Sequence, residues 1–533
     1  MDKWCNIVIA VAVLYIVANW ITCQNLSSQN IIIASILVIK SAVLWHYARR
    51  NRTSVTKQSL YRPNASSGIF CVVLVPLTLL GEFYVQRQSK DPSSILQEIW
   101  LSLAVVFVII LKLTLADNQH LKLYLFIVLP LLGAVLVILF GWASVLPLVT
   151  SYLLWKCLEL IPENLPKSFT LGELAVVLQL LSLWVNRMSL SVLQVQKLAK
   201  EDIQLAWFVC TLLAAVVFAT VIVYLKTAYS SLGQFIAVYV IMAALSLLLL
   251  QSVFGENPVL WLLDFVSGSC TKIFLLFTWI ILLAVAIVWT VIHSFESLNR
   301  VSMSEQHSET TVGNAVFSGA ALSSKTPDSK NTVSFTIRKV FHAFIVLVYF
   351  PGLLLDVRLL LLASVAALGL FIIMEAARAL HVPVVGEHLD AILRIFVDER
   401  DQGLIFLTHI HLLIGISLPL WISHNLFSSH IAHVELYSGV LSLGVGDTVA
   451  CVAGKAWGRN HWPGSKKTME GTLCSILSQV ALLLAGSYIG VVNLTSWWNV
   501  FVGICLSALV EAFTDQIDNL ILPLVLYPFL CFG

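Results

Sequence analysis

Apolar segments long enough to cross a lipid bilayer recur along the chain, and this pattern constrains the fold more than any other feature. A membrane-spanning helix needs about 20 mostly apolar residues. Clear examples are residues 30–44, 99–115, 121–140, 206–224, 235–250, 273–292 and 473–492. A backbone in lipid must satisfy its own hydrogen bonds, and the alternation of a membrane barrel is absent. We therefore predict that these spans are helices.

The composition supports the same interpretation. Hydrophobic residues make up 59% of the chain and charged residues only 11%, whereas soluble domains carry about 25% charged residues. We therefore predict an all-α polytopic integral membrane protein with roughly 15 to 17 transmembrane helices. The ten cysteines form no CxxC pair, which argues against a zinc finger or a disulfide framework. The net charge of +2 gives no indication of a nucleic-acid partner.

Polar segments divide the chain into regions. Residues 294–339 are rich in Ser and Thr and are predicted to form a flexible cytosolic linker between transmembrane regions at residues 1–293 and 340–533. Segment 46–62 has five basic and no acidic residues, which predicts a cytosolic location because basic loops tend to stay in the cytosol. Counting spans in pairs returns three later polar loops to the linker's side of the membrane: residues 381–403, 455–471 and 511–519.

The stretch from residue 444 to residue 471 is the richest in residues that suit phosphate chemistry. Gly444 and Gly446 would let the backbone turn sharply and approach a ligand. Asp447 and Thr448 are predicted to begin a helix, whose N-terminus favours phosphate and where an aspartate can hold a bridging Mg²⁺ ion. Helical spacing aligns Asp447 with three small residues: Ala450, Gly454 and Gly458. Either a nucleotide or another helix can lie against that stripe.

A basic loop follows the stripe. Its residues are Lys466, Lys467, Thr468, Glu470 and Gly471. The lysines can neutralise the charge of a transferring phosphate, and the hydroxyl and carboxylate can position a ligand or a metal. Cytosolic loops are often rich in lysine for reasons of membrane topology alone. The prediction of a phosphate site therefore rests on the lysines together with the stripe.

Common nucleotide-binding motifs are incomplete in this stretch. A Walker A motif fails because Ala456 follows Lys455, and the GxGxxG pattern fails because position 449 is Val. The signatures of protein kinases are also missing. These absences exclude the common nucleotide-binding loops but leave phosphate chemistry open.

Carboxylates near the end of the chain are also candidates. The spacing of Glu511, Asp515 and Asp518 predicts that they share one helix face beside apolar sequence. Carboxylates there are costly unless they are paired or bound to a cation. A metal site and an exposed helix cap both remain open.

Two more polar segments complete the set of candidates. In loop 381–403, Asp398 and Asp401 could hold metal or accept the proton of an alcohol, and Arg400 could contact phosphate. A solvated charged loop explains these residues nearly as well, and the loop also suits an amphipathic helix at the membrane surface. His342 is a candidate without an assigned role because it follows two basic residues at a membrane entry: Arg338 and Lys339.

Together these patterns resemble the CTP-binding signature of the polyprenol kinase family. The signature reads Asp447-x-x-Ala450-x-x-x-Gly454-x-x-x-Gly458, followed by Lys467-Thr468-x-Glu470-Gly471. The dolichol kinases match best in length and layout, and the resemblance covers roughly the last 200 residues. The segments around His342, 398–403 and 511–519 agree with it, whereas the N-terminal 300 residues add only hydrophobicity and length.

The resemblance implies a function. The γ-phosphate of CTP would pass to dolichol in the bilayer, giving dolichyl phosphate and CDP, on the cytosolic face of the endoplasmic reticulum. Dolichyl phosphate is the lipid carrier for protein glycosylation. Residues 444–471 would form the CTP-binding loop of a catalytic region, with Asp447, Lys467, Asp398 and Arg400 as catalytic residues. Mg²⁺ or another divalent cation would be held by Asp447 and by Asp515 or Asp518.

Three other functions remain open at this point. A CTP-dependent lipid cytidylyltransferase would share the nucleotide site but release pyrophosphate. A kinase of another prenyl alcohol would differ only in its acceptor. A transporter would explain the many helices and the carboxylates beside them, but it predicts repeated halves that the sequence does not show.

Overall fold

The structure, a computed structural model, is built from helices throughout the part of the chain that it describes. That part comprises residues 2–23, 60–63, 65–86, 156–193, 200–225, 231–289, 328–393, 403–423 and 433–533, with isolated positions at 292 and between 95 and 106. Six described helices are long and apolar enough to cross a membrane, and eight shorter apolar helices accompany them. This confirms the predicted all-α polytopic fold. The predicted total of roughly 15 to 17 spans includes residues outside the described ranges and stays a prediction.

The helices are numbered here in chain order. The first seven are α1 (Asp2–Cys23), α2 (Leu74–Gln86), α3 (Leu171–Leu193), α4 (Lys200–Leu225), α5 (Leu232–Phe254), α6 (Pro258–Ser267) and α7 (Cys270–Trp289). The next four are α8 (Asp328–Leu355), α9 (Val357–Ala379), α10 (Gly386–Leu393) and α11 (Thr408–Ile422). The last four are α12 (Val434–Trp457), α13 (Met469–Ile489), α14 (Trp497–Phe513) and α15 (Asp518–Cys531).

The core of the bundle lies around α15. Every residue of this helix from Asn519 to Cys531 is buried, and the helix packs against α2, α11 and α14. Helix α1 packs against α14, where the Tyr15 hydroxyl donates to Asn499 Oδ1 at 2.8 Å. Lipid tails are as apolar as these side chains, so close packing rather than exclusion of water holds such helices together. N-terminal and C-terminal helices therefore share one core.

Helices α5 and α7 lie at the periphery of the described helices. Most of their apolar side chains are exposed, as expected for helices that face lipid. Helix α5 begins at a Ser231 cap, whose hydroxyl accepts from the Gln234 N–H, and ends at Gly255 with a φ of 71°. Helix α8 begins at Asp328 and so includes the last part of the predicted linker. The rest of that linker lies outside the described residues, and its boundaries stay a prediction.

Helix α12 corrects one expectation from the sequence. A 3₁₀ turn at Val434–Tyr437 leads into a π-helical segment at Val440–Asp447, which continues directly into an α-helix at Thr448–Trp457. An α-helix does begin at Thr448, but the prediction of a free helix N-terminus at Asp447 is wrong. Its neighbours already form helical hydrogen bonds, and no free helix N-terminus is available there to bind phosphate. Wide π-helical turns inside helices often occur at functional sites.

The end of the chain corrects a second expectation. Helix α14 ends at Phe513 and Thr514 is extended, with a ψ of 140°. Glu511 therefore lies in the last turn of α14, Asp515 in the connection, and Asp518 at the first position of α15. The prediction that these three carboxylates share one helix face is wrong, because the chain reverses direction between them.

Candidate active site

The loop between α12 and α13 folds back on itself. Residues Trp462-Pro463-Gly464-Ser465 form a turn in which the Ser465 N–H donates to the Trp462 carbonyl at 3.0 Å. Gly464 has a φ of 73°, a conformation that glycine adopts without strain and that a Pro-Gly turn requires. Beyond the turn, the Trp462 N–H donates to the Lys467 carbonyl at 3.0 Å. The turn places the Lys467 side chain at a defined position beside the helix ends.

Side-chain hydrogen bonds close the base of this loop. The Thr468 hydroxyl caps α13 by accepting from the Gly471 N–H at 3.2 Å. The Glu470 carboxylate accepts from the Asn460 N–H at 3.1 Å and from its side-chain amide at 2.8 Å. Both predicted ligand-positioning residues, Thr468 and Glu470, thus hold the loop together. Lys466 is exposed at the tip, beside this framework.

The loop is fastened to the last turn of α14. The Ser465 hydroxyl donates to the Ala512 carbonyl at 2.7 Å, and the Trp462 and Phe513 rings lie 5.2 Å apart in an edge-to-face arrangement. The Lys467 ammonium donates to the Glu511 carboxylate and forms an ion pair with it. Glu511 is buried. These contacts join the loop to the end of α14, and the paired Lys467 and Glu511 lie 44 residues apart in the sequence.

Lys467 is the cation of a cluster of carboxylates. Burial would lower the pKa of its ammonium. The carboxylates of Glu511, Asp447 and Asp518, in that order of influence, outweigh burial and raise this pKa above its ordinary value. Lys467 is therefore charged at every physiological pH. An ammonium has three N–H donors, so it can contact a phosphate while it remains paired with Glu511.

His342 brings a third part of the chain to the same place. Its Nε2 lies 3.2 Å from Asn519 Oδ1 and 3.6 Å from Asp447 Oδ2. Both neighbours are acceptor oxygens, so the geometry calls for a proton on Nε2. His342 and Asp447 are buried. Helices α8, α12 and α15 thus meet at one buried polar site.

The small residues of α12 serve helix packing in this structure. A Cβ at Gly454 would lie 2.8 Å from Thr468 Oγ1, and one at Gly471 would lie 2.5 Å from the Ala450 carbonyl oxygen. At Gly458 a Cβ would come within 2.6 Å of Thr468. The stripe therefore lies against the start of α13. Of the two alternatives that the sequence left open, a nucleotide or another helix, the structure has the helix.

The two earlier glycines also permit close packing rather than a sharp turn. A Cβ at Gly444 would meet Val346 of α8 at 2.1 Å, and one at Gly446 would meet the Gln479 amide of α13 at 2.6 Å. Both glycines lie within the π-helical segment, so the expected sharp turn is wrong. The half-buried Thr448 follows in the same helix. Close approach of α8 and α13 positions Asp447 between them.

Asp515 is engaged by the N-terminal region. Its carboxylate accepts from the Ser66 N–H at 2.8 Å, from the Ser66 hydroxyl at 2.7 Å and from the Gln516 amide at 2.8 Å. The predicted metal ligand therefore turns towards residues 65–68. Four hydrogen-bonding positions are available on a carboxylate, and three of them are used here.

A buried ion pair braces the same connection. Arg62 Nη2 donates to Glu173 Oε1 at 2.6 Å, and both side chains are almost fully buried. The same Glu173 oxygen accepts from the Ile517 N–H at 2.8 Å. Composition alone did not indicate a role for these N-terminal residues. The sequence signal that could have indicated them is a charged residue next to apolar sequence, because such a charge requires a partner when it is buried.

Other predicted residues remain without a described position. Asp398, Arg400 and Asp401 lie outside the described residues. Arg338 and Lys339 belong to α8, but their side chains also lie outside the described part. Asn519 ends the polar segment 511–519 but was not among the predicted site residues. Its contact with His342 depends on how the tertiary structure brings α8 close to the start of α15, which the sequence does not give.

A divalent cation fits part of this cluster. Among the described residues, no three His, Cys, Asp or Glu side chains are grouped to hold a metal by themselves. Magnesium at phosphoryl-transfer sites needs fewer protein ligands. One or two carboxylates suffice when water and substrate phosphates complete the coordination shell of the ion. Asp447 and Asp518 suit that role, whereas the Asp515 carboxylate faces Ser66.

The fold and the site define a class: a multi-pass helical membrane protein with a charged, phosphate-compatible site at one end of its bundle. A sequence model described as dolichol kinase matches residues 127–328 and 315–491. The chain belongs to the dolichol kinase family. The match begins at residue 127, so the family likeness extends well beyond the last 200 residues on which the sequence resemblance rested. It ends before the segment that carries Glu511 and Asp518.

Individual relatives agree with this assignment. The chain is 34% identical over 377 residues to a dolichol kinase of Bos taurus and 33% identical over the same length to one of Homo sapiens. In both cases the match covers 68% of this chain and 65% of the relative. A dolichol kinase of Arabidopsis thaliana is 31% identical over 286 residues, covering 52% of this chain and 44% of the relative. No solved structure matches the fold.

Proposed function

We propose that this chain is a CTP-dependent dolichol kinase. It transfers the γ-phosphate of CTP to the hydroxyl of dolichol and releases dolichyl phosphate and CDP. The observation that carries the proposal is the cluster of Lys467, Glu511, Asp447 and His342 at one end of an apolar bundle. Such a cluster suits a reaction between a charged nucleotide in water and an alcohol that is dissolved in lipid.

The residues of the cluster divide the work of phosphoryl transfer. The dolichol oxygen attacks the γ-phosphorus, the bond between that phosphorus and the β-bridging oxygen breaks, and CDP leaves with the bond electrons. Catalysis of this reaction consists mainly of positioning and charge stabilisation. Lys467 would donate to the phosphate oxygens, with Glu511 holding the ammonium in place. Mg²⁺ held by Asp447 and Asp518 would neutralise further phosphate charge.

The alcohol proton needs an acceptor in the same site. Asp447 is our assignment, because its carboxylate is buried and lies beside His342. The proton on His342 Nε2 would stabilise the carboxylate in the orientation that faces the substrate. Asp398, predicted as a competing acceptor, lies outside the described residues and remains the alternative.

We place the site on the cytosolic face of the endoplasmic reticulum membrane. Basic residues in segments 46–62 and 455–471 support that orientation. The structure brings the end of the first segment close to the site, since Arg62 and Ser66 contact the loop before α15. Dolichyl phosphate made there would supply the lipid carrier for protein glycosylation.

The test is phosphate transfer in membranes that contain this chain. With γ-labelled CTP, dolichol and Mg²⁺, labelled dolichyl phosphate and CDP are expected, and Asp447→Asn should lower the rate of both by about 100-fold or more. Asp264→Asn is the matched control, because Asp264 is an exposed carboxylate on α6. A parallel reaction with α-labelled CTP distinguishes a cytidylyltransferase, which would put that label on the lipid and release pyrophosphate. Absence of any labelled lipid product from the folded protein would refute the proposal.

A further inference from the structure

An apolar crevice lies between α13 and α14, on the half of this helix pair far from the charged cluster. Its volume is about 180 Å³. The lining side chains are Val480, Leu483, Trp497, Val500, Phe501 and Ile504. None of them carries a charge, so the crevice suits a hydrocarbon.

The crevice opens towards the bilayer. Its floor is formed by Leu483, Val500 and Ile504, which are 3%, 1% and 0% exposed. Its mouth is formed by Trp497 and Phe501, which are 39% and 44% exposed. Leu484 and Trp498, which neighbour the lining residues in sequence, are also exposed, so in a membrane lipid would meet the mouth and a chain could enter sideways.

The crevice is aligned with the charged cluster through the two helices that form it. Helix α13 begins just after Lys467, and α14 ends just after Glu511. At about 1.5 Å per residue, Ile504 lies roughly 10 Å and Trp497 roughly 21 Å along α14 from Glu511. Both distances fall within the hydrocarbon thickness of a bilayer, about 30 Å. A lipid whose hydroxyl reaches Lys467 and Glu511 would pass along this helix pair.

We propose that the crevice binds isoprenoid units of the acceptor lipid at a distance from the reacting hydroxyl. The inference rests on the proposed function and adds a binding subsite to it. The bilayer already surrounds such a chain with hydrocarbon. Binding in the crevice therefore gains only packing contacts and no hydrophobic free energy from the removal of water. Methyl branches that fill the crevice would favour a long prenyl alcohol over a straight acyl chain, and they would do so by a modest factor.

Kinetics with a filled crevice test the inference. The substitution Val480→Phe narrows the crevice, and Leu477→Phe on the same helix is the matched control because Leu477 is 59% exposed and does not line it. Val480→Phe should raise KM for dolichol by about three- to tenfold relative to the control, since only packing is lost. The KM for CTP should not change. Neither should the KM for a prenol of about two isoprene units, too short to pass the roughly 10 Å to Ile504. Equal effects on long and short alcohols, or no effect, would mean that membrane lipid fills the crevice.

Photocrosslinking separates this inference from the proposed function. A long prenol with a photoreactive group about 20 Å from its hydroxyl should label the wild-type peptides that span 477–504, and unlabelled dolichol should compete. Val480→Phe should lose this label by several fold and Leu477→Phe should keep it. Competed labelling without any kinase activity would retain the subsite and reject the kinase. Kinase activity with labelling elsewhere would retain the kinase and reject the subsite.

Discussion

The Lys467 ammonium donates to the Glu511 carboxylate, and this contact joins the loop after α12 to the last turn of α14. Glu511 is buried and needs a cation, while Lys467 stands on a loop whose turn is fastened to Ala512. The ion pair and the hydrogen bond together fix the distance between loop and helix.

Removal of Lys467 should impair catalysis more than removal of its neighbour. Lys467→Met should lower kcat/KM by about 10²- to 10³-fold, the usual cost of losing one donor to a transition-state charge. Lys466→Met should cost less than about tenfold, because that side chain is exposed and screened by solvent. Radiometric initial rates compare the two. Similar losses in both variants would contradict the assigned role of Lys467.

The raised pKa of Lys467 also predicts a pH dependence. A lysine has an ordinary pKa of about 10.4, and the pKa of Lys467 lies above its ordinary value. Its charge, and the stability gained from pairing with Glu511, are therefore fully present below pH of about 10 and are lost only as pH rises through the higher folded value. The rate should show no decline from lysine deprotonation between pH 7 and 9. A decline in that range that Lys467→Arg removes would show that the pKa is not raised.

His342 should act through Asp447. We expect Asp447→Asn to lower kcat by about 100-fold or more, because it removes the proton acceptor. His342→Gln can still donate a hydrogen bond and should cost about tenfold, whereas His342→Leu should cost more. The pH profile provides a second readout, since loss of His342 should shift the pKa of the group that limits kcat. An unchanged profile in His342→Leu, with a lower melting temperature, would indicate a role in packing alone.

The two carboxylates before and at the start of α15 should behave differently. Asp518→Asn should raise the Mg²⁺ concentration that gives half-maximal rate by about tenfold, because it weakens one of two ligands. Asp515→Asn should leave that concentration unchanged and lower the melting temperature, because the carboxylate accepts three hydrogen bonds from Ser66 and Gln516. Titrations with Mg²⁺ at saturating CTP compare them. The reverse pattern would assign the metal to Asp515.

The Arg62–Glu173 pair should stabilise the N-terminal contact with the site. Arg62→Met leaves a buried carboxylate unpaired and should cost about 3–5 kcal/mol. Adding Glu173→Gln should recover much of the loss, because the charge is removed while an acceptor for the Ile517 N–H is kept. Lys156→Met is the control, since its ion pair with Glu159 is exposed and contributes little. Thermal unfolding in detergent measures all four proteins. A loss in the double variant as large as in Arg62→Met would argue against a charge effect.

Much of this protein could be predicted from its sequence. Helical spans followed from the length of the apolar runs, because lipid leaves the backbone no other partners. Asp447 and Lys467 followed from residue types in one stretch that suit Mg²⁺ and phosphate. Glu511 followed from the cost of a carboxylate beside apolar sequence, which requires a partner or a function. These inferences depend on local composition and spacing, which a sequence contains in full.

Only the tertiary structure decided how those residues are arranged. Spacing placed Asp447 at a helix start and put Glu511, Asp515 and Asp518 on one helix face, but α12 runs through Asp447 and the chain reverses after Phe513. The contacts of His342 with Asn519, and of Arg62 with Glu173, join residues 177 and 111 positions apart. Such pairs depend on which helices pack together, and packing is determined by the shapes of whole helix faces rather than by the order of residues along one of them.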